Sequence, residues 1–432
     1  MNILMSTLRA VAYALTEPYL VTFLVILFFI LYRKNKKTTI MQRMIIGERV
    51  NTPFELTISQ IVIGIFAGAF ASVIMSYLGI VFDESSSVDL IFLMSIIFMF
   101  FNPRFICFAY SGAALAFTSL MLSLVSSTFN IPNLDFLKID VVSLMTLIAV
   151  LHFVEGILII IDGKTGAIPV FTSRDEKIIG GFAFQRYWAL PIAIFFMLHN
   201  NTAISTTWQV PLPNWWPLVK SSIPVEILKN AVVALIPFYG MVGYNSITFT
   251  KDKETKTLMS GSLMIVYSIA LFGLAQAAVL NLPLKFLVVI FAPAAHEAII
   301  AFQRYVEVKG EPKFISGEDG IMVLAVAPNS PANEMGIKCG DLLVEVNNKK
   351  IENEEKIAEA IRECSNFIWF KVKKVTGKFE QVSYNKLNDN KRLGIVFVPR
   401  GVPKDSMVVK LDETRFGEIL DKIKNKDKDE DE

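Results

Sequence analysis

Long apolar runs separated by short polar segments dominate the first 303 residues of the chain. A helix needs about 20 apolar residues to cross the hydrocarbon core of a bilayer. The pattern predicts nine spanning helices, at residues 12–32, 57–81, 88–101, 105–126, 141–161, 187–199, 223–244, 258–280 and 284–302. The segments 88–101 and 187–199 are the shortest of these, so eight spans are the alternative count. We therefore expect an α-helical polytopic membrane bundle over residues 1–303.

Positively charged residues cluster in every second loop of this bundle. Six Lys and Arg residues follow the first span between residues 33 and 49, whereas the loop 82–87 after the second span carries Asp83 and Glu84 and no basic residue. Further basic groups follow the fifth and the seventh spans. Because basic loops are retained in the cytoplasm, the pattern predicts an N-terminus outside the cell and a cytoplasmic C-terminal domain. This sidedness requires an odd number of crossings.

After residue 303 the pattern changes to short strands and turns. A linker is expected at residues 304–313, around Glu311-Pro312, and a small α+β domain at residues 314–400. Strands are predicted near 320–328, 342–346, 367–375, 378–384 and 392–400, with one helix at 354–364. The chain ends in a charged tail at residues 401–432.

Composition agrees with a membrane protein and narrows the function classes. Hydrophobic residues make up 53% and charged residues 19% of the 432 residues, and the mean hydropathy is +0.49. A net charge of +2 without a basic stripe gives no sign of nucleic-acid binding. Three cysteines, Cys107, Cys339 and Cys364, are too few and too scattered for a disulfide framework or a zinc knuckle. No motif for a cofactor is present.

The richest local signal is the segment PNSPANEMGIKCGDLLVEVNNKKI at residues 328–351. Its residue types predict a capped short helix, a tight turn, a strand and a second turn. The turn positions that carry this prediction are Ser330, Pro331, Gly336, Gly340, Asp341 and Asn347.

This order of turns resembles the core of a PDZ domain, which is a peptide-binding module. The resemblance implies that a partner's free C-terminus adds a strand to an exposed edge, with its carboxylate held by a loop of the hydrophobic-Gly-hydrophobic type. Leu393-Gly394-Ile395, preceded by Arg392, is the best match for that loop, and it lies after the core. We therefore expect a permuted strand order in which residues 393–396 supply the binding edge. The alternative is an ordinary core strand with a blocked groove.

Ionisable residues inside predicted spans are candidates for function, because burying charge in lipid is costly. His152 and Glu155 lie one helical turn apart, and His296-Glu297 lies in the last span. The last pair resembles the start of the HExxH zinc-protease helix, but Ile300 stands where the second His would be. The alternative functions are a PDZ-regulated intramembrane hydrolase of the metalloprotease type that uses His296 and Glu297, and a transporter. A zinc site from His152, Glu155 and His296 is a further alternative. The preferred interpretation is a buried polar network without a metal, in a protein that is not an enzyme.

About nine spans followed by one PDZ-like domain with Leu393-Gly394-Ile395 near its end resemble MinJ-type proteins, which are Gram-positive division-site topology factors. The resemblance implies a multi-pass cell-membrane adaptor that connects the pole marker DivIVA to MinD and so restricts septum formation. Its expected partners are thus the lipid bilayer and division or polarity proteins, and no nucleic acid. The oligomeric state and the peptide preference stay open.

Overall fold

A computed structural model describes residues 2–101, 107–131, 137–175, 177–198, 212–219, 223, 225–230, 232–351, 354–363, 367–385 and 392–400. Cys364 and the tail 401–432 lie outside these residues. The helices are α1 (Ile3–Ala14), α2 (Pro18–Ile46), α3 (Pro53–Leu78), α4 (Leu90–Phe101), α5 (Phe108–Phe129), α6 (Val141–Asp162), α7 (Val225–Asn230), α8 (Lys253–Ala277), α9 (Leu282–Lys309), α10 (Pro331–Glu334) and α11 (Glu354–Glu363). The strands are β1 (Val81–Asp83), β2 (Ile168–Arg174), β3 (Lys177–Leu198), β4 (Val232–Thr248), β5 (Phe314–Ile315), β6 (Ile321–Val326), β7 (Leu342–Val346), β8 (Lys349–Lys350), β9 (Phe367–Lys373), β10 (Phe379–Asn385) and β11 (Ile395–Phe397).

Within the described part of the chain, six helices are long and apolar enough to cross a membrane: α2, α3, α5, α6, α8 and α9. Each overlaps one of the predicted spans, α2 only in part, so the general fold class, a helical membrane bundle followed by a small α+β domain, is confirmed. The count of nine is not confirmed. The predicted span 88–101 is α4, whose 12 residues reach only about 18 Å at about 1.5 Å per residue.

Two other predicted spans, 187–199 and 223–244, are wrong as helices. Most of the first lies in β3 and most of the second in β4, and these strands pair antiparallel from Phe182↔Thr248 to Leu198↔Val232. A strand buried on both faces has the same continuous apolar sequence as a membrane helix. Pro191 and Pro237 disfavour a helix at these places, because an interior proline removes a helix hydrogen bond.

The strand β3 runs along the whole bundle. Near its start Ile179 and Gly180 pair with β5, which follows the end of α9. Near its end, residues 195–197 pair in parallel with β1, which follows the end of α3. Almost every side chain of β3 is buried. Non-helical backbone is tolerated at membrane depth only where protein covers it, and β3 meets this condition.

Two glycines of α3 allow the helix to lie directly on β3. A Cβ on Gly64 would stand 2.1 Å from the carbonyl oxygen of Ala189, and one on Gly68 would stand 2.3 Å from that of Pro191. At such distances even a Cβ atom would force the helix or the strand to shift. Small residues at this spacing are familiar from pairs of membrane helices. Here they bring a helix against a strand.

A buried ion pair connects β3 to two helices. Arg186 on β3 donates to both carboxylate oxygens of Asp162 at the end of α6, at 2.8 and 3.1 Å. The indole of Trp188 donates to the same carboxylate at 2.8 Å, and Arg186 also donates to the Leu56 carbonyl on α3 at 3.2 Å. The bidentate geometry and the added donors compensate for removing both charges from water.

The helix α5 starts deep inside the bundle, where Phe92 near the start of α4 packs against Phe108. Cys107, at the start of α5, touches His152 in the middle of α6. Further along α5, Ser119 lines one cavity together with Asp83 after α3 and Leu282 at the start of α9. The helix α5 therefore begins beside the middle of α6 and runs toward the end of the bundle where α3 finishes.

The C-terminal domain contains β6–β11 with α10 and α11. Its main sheet has the order β10-β9-β7-β6-β11, with β8 paired to β7. A separate apolar core holds it together, built from fully buried residues such as Ile321, Leu343 and Phe370.

This domain rests on the end of the bundle where α9 finishes. A Cβ on Gly180 of β3 would meet Val398 and Leu324 of the domain at 2.8 and 3.0 Å. Lys313, just before β5, forms an ion pair with Asp252 at the start of α8. Burial alone would raise the pKa of Asp252, but the hydrogen bonds from Lys313 and from the Thr255 amide outweigh it and lower that pKa to about 2.

Candidate functional site

The predicted turn residues take the roles that their chemistry suggested. Ser330 caps α10, since its hydroxyl accepts from the Asn333 amide at 3.3 Å, and Pro331 occupies the first helical position. Gly336 ends this turn of helix with a φ of 72°, and Gly340 has a φ of 89°. Both glycines therefore adopt backbone conformations that other residues rarely take.

Asp341 and Asn347 fix the two ends of β7. The buried Asp341 carboxylate accepts from the Lys338 amide at 2.9 Å and from the Lys374 ammonium at 3.0 Å. Asn347 has a φ of 47°, and its side-chain oxygen accepts from the Trp369 amide at 3.0 Å. These contacts tie the turns to β9.

The strand β11 forms one end of the sheet in the described part of the chain. It pairs antiparallel with β6, with Ile395 opposite Val326 and Val396 opposite Ala325. The last strand in sequence thus lies beside the first strand of the core. This is the permuted order expected from the sequence, and the outer edge of β11 has no strand partner among the described residues.

Gly394 lies in the loop before β11, at the point where this loop contacts Ser330, the cap of α10. Its φ is 72°, and a Cβ there would stand 2.3 Å from the Cβ of Ser330. The carbonyls of Leu393 and Gly394 accept from the amides of Ala332 and Ala327 at 3.1 and 2.7 Å. The exposed Arg392 precedes this loop, and its guanidinium approaches Gly47 at the end of α2.

The two faces of β11 contact different parts of the molecule. Leu393, Ile395 and Phe397 pack against the apolar cluster of the domain that contains Ile357 and Ile361 of α11. Val396 and Val398 instead join the apolar core of the membrane bundle. The strand β11 thus has one face toward α11 and the other toward the membrane bundle, and the exposed Arg392 precedes it.

The four polar residues predicted inside the membrane do not all converge on one point. His152 of α6 and His296 of α9 face each other, and the sulfur of Cys107 lies between them, 2.9 and 3.6 Å from their Nε2 atoms. One ligand atom from each of the three residues lies within 4.8 Å of the others, a spacing that could hold a metal ion. Glu155 lies beside His152, with 3.8 Å between a carboxylate oxygen and Nε2.

Glu297 contacts this cluster indirectly, through Tyr110. The Tyr110 hydroxyl donates to the Glu297 carboxylate and lies 3.3 Å from Nδ1 of His296. On the other side, Nδ1 of His152 lies 2.8 Å from the Ile148 carbonyl. Both imidazoles are thereby oriented with Nε2 toward Cys107.

Sequence reasoning missed Cys107, Tyr110 and the Arg186–Asp162 ion pair. Cys107 lies 45 residues before His152 and 189 before His296. No local spacing connects residues so far apart. The only available signal was that a cysteine and two histidines all occur in apolar segments.

Comparison with known proteins gives two matches. The family model of the PDZ domain matches residues 322–367. The "Cell division topological determinant MinJ" of Bacillus subtilis (strain 168) is 25% identical over 256 residues, which cover 56% of this chain and 60% of that protein. The alignment thus spans less than two thirds of the relative. Together with the apolar helices and the strand order of the C-terminal domain, these matches show that the chain carries a PDZ domain and is similar to MinJ over part of its length.

Proposed function

We propose that this chain is a non-enzymatic membrane adaptor whose PDZ domain recruits partner proteins for placement of the cell-division site. The observation that carries the proposal is the edge strand β11, preceded by Arg392-Leu393-Gly394 and placed at the end of the PDZ sheet. A peptide that adds a strand there would gain main-chain hydrogen bonds, and its side chains could reach the apolar wall of α11. The membrane bundle would keep the recruited partner at the bilayer.

We infer the orientation of the protein in the membrane from the positions of its basic segments. The basic segment at the end of α2 and the lysines that begin α8 lie at the end of the bundle where the PDZ domain docks. Basic segments are retained in the cytoplasm. The PDZ domain is therefore cytoplasmic in this proposal, and the N-terminus is outside. The relative's printed name concerns division topology, so division proteins such as DivIVA and MinD are the partners to test first.

Peptide binding by the purified full-length protein tests the groove. The C-terminal peptides of the host's division proteins are offered as free acids and as amides. The proposal predicts that some free acids bind and that their amides bind at least about tenfold more weakly, because an amide carries no charge for the loop and Arg392 to hold. Equal binding of acids and amides, or no binding of either, would overturn the carboxylate-binding groove.

A charge reversal at the groove provides the matched comparison. Arg392→Glu places a negative charge beside the peptide carboxylate and is expected to weaken binding by about tenfold or more. Lys350→Glu makes the same change on the exposed strand β8, which pairs with β7 and not with β11. It should leave binding unchanged. Equal effects of the two variants would mean that only the overall charge of the domain matters.

A further inference from the structure

Three elements bring a thiol and two imidazoles together inside the bundle. Cys107 comes from the start of α5, His152 from α6 and His296 from α9. Both histidines are buried, and their rings and that of Tyr267 pack edge to face, with centroids 5.2 to 5.8 Å apart. The adaptor function makes no use of this cluster.

The distances suit a four-coordinate metal. Zinc binds sulfur at about 2.3 Å and imidazole nitrogen at about 2.0–2.1 Å, so a tetrahedral site places sulfur and nitrogen about 3.5 Å apart. The sulfur of Cys107 lies 2.9 Å from Nε2 of His152 and 3.6 Å from Nε2 of His296. These separations bracket the expected one, and an ion requires only a small outward movement of His152.

The hydrogen bonds around the histidines select the required nitrogen. A metal-bound imidazole usually donates its other N–H to a carbonyl or a carboxylate-linked group. His152 can donate from Nδ1 to the Ile148 carbonyl at 2.8 Å. His296 can donate from Nδ1 to the Tyr110 oxygen at 3.3 Å, and that hydroxyl donates to Glu297. In both residues the lone pair of Nε2 then points toward the sulfur.

Charge balance also favours a divalent cation. A metal-bound cysteine is a thiolate, so a divalent ion would offset the negative charges of the thiolate and of a neighbouring carboxylate. A site removed from water favours such compensation.

We propose that Cys107, His152 and His296 bind one zinc ion, which joins α5, α6 and α9 at mid-depth in the bundle. Thiolate and imidazole ligands suit zinc, and three protein ligands leave a fourth position beside Glu155 for that carboxylate or a water. Binding releases the thiol proton to solvent and involves no redox step. This site is independent of the peptide groove, and the sequence alone had favoured a network without a metal.

Metal analysis of the full-length protein tests the site. Protein purified in detergent without chelators should contain close to one zinc per chain. Cys107→Ser and the double variant His152→Gln with His296→Gln should contain at least about tenfold less. Cys339→Ser is the matched control, because burial raises the pKa of the Cys339 thiol to about 11 and that residue lies in the PDZ domain. Zinc that persists in Cys107→Ser at the control level would overturn the proposal.

Cobalt loading of the unsubstituted protein avoids dependence on the folding of variants. Cobalt bound to a thiolate gives a charge-transfer band in the near ultraviolet and tetrahedral absorption in the visible. The proposal predicts both, retained in Cys339→Ser and displaced by added zinc. A protein that contains no zinc and gives neither band with cobalt would contradict it. Size-exclusion elution at the wild-type volume identifies the variants whose metal content can be compared.

Discussion

At the residue scale, a few polar side chains hold the bundle together where a membrane supplies no water. Arg186 makes four contacts that connect β3 to α3 and α6, two of them to Asp162. Breaking a buried ion pair leaves a charge without compensation, whereas an exposed pair contributes little. We therefore expect the buried ion pair Arg186–Asp162 and the exposed ion pair Lys164–Glu254 to respond differently when the basic residue is replaced by methionine.

Replacing Arg186 with methionine should destabilise the bundle by about 3–5 kcal/mol, because Asp162 would stay buried and unpaired. Lys164→Met removes the exposed ion pair with Glu254 and should cost no more than about 1 kcal/mol. Thermal unfolding of both variants in the same detergent measures the difference. Equal melting temperatures would show that the Arg186 contacts do not contribute to stability.

Gly394 and Gly336 of the PDZ domain allow a controlled comparison of two substitutions. Both have a φ of 72°, but a Cβ on Gly394 meets Ser330 at 2.3 Å, whereas one on Gly336 meets nothing within 4 Å. Alanine at Gly336 should therefore cost only the backbone strain, about 1–2 kcal/mol. Alanine at Gly394 should cost more and should also weaken peptide capture.

Limited proteolysis and peptide binding, measured on both alanine variants, separate these effects. If Gly394→Ala is as stable as Gly336→Ala and binds peptide as tightly as the unsubstituted protein, the loop is not held in the conformation described.

At the scale of elements, the sequence predicted the long helices well and the buried strands badly. The helices α3 and α6 are recognisable in the sequence because each has about 20 mostly apolar residues after an N-cap residue, Thr52 and Asp140 respectively. The strands β3 and β4 have the same apolar content, so hydropathy assigned them to helices. Only Pro191, Pro237 and the neighbouring glycines indicated otherwise. In the PDZ domain, by contrast, Ser330, Gly340 and Asn347 specify turns by local chemistry.

The contact between α3 and β3 leads to a test of that unexpected strand. Gly64→Ala should destabilise the protein by about 1–3 kcal/mol, since the added carbon would overlap the Ala189 carbonyl. Gly273→Ala on α8 meets nothing within 4 Å and should be neutral or stabilise by up to about 1 kcal/mol. The comparison is made by thermal unfolding. A bundle in which residues 187–199 form a separate helix offers no reason for Gly64→Ala to be the worse of the two.

At the scale of the whole molecule, six of the nine predicted spans correspond to long apolar helices among the described residues, whereas the predicted sidedness stays a prediction. Besides these helices, the paired strands β3 and β4 each run along the bundle. An N-terminus outside and a cytoplasmic PDZ domain require an odd number of membrane crossings. The candidate site was only half predictable: the PDZ turns are local, whereas Cys107, His152 and His296 meet through tertiary packing alone.

Labelling with a membrane-impermeant maleimide tests this topology. Trp215 stacks on Tyr77 near the end of α3, and Asp175 lies in the turn between β2 and β3 at the opposite end. Both positions are exposed. Trp215→Cys should be labelled in intact cells, and Asp175→Cys only after permeabilisation, above the background of the unsubstituted chain. Labelling of both from the same side would mean that β3 does not cross the membrane.

The most direct test of the adaptor claim is crosslinking in living cells whose only copy of this chain is wild type, Arg392→Glu or Lys350→Glu. The account predicts that Arg392→Glu stays in the membrane at the normal level, loses its crosslinks to division proteins and gives misplaced septa, whereas Lys350→Glu behaves as wild type. Division partners that remain crosslinked to Arg392→Glu, with septa in their normal positions, would contradict recruitment through the PDZ edge.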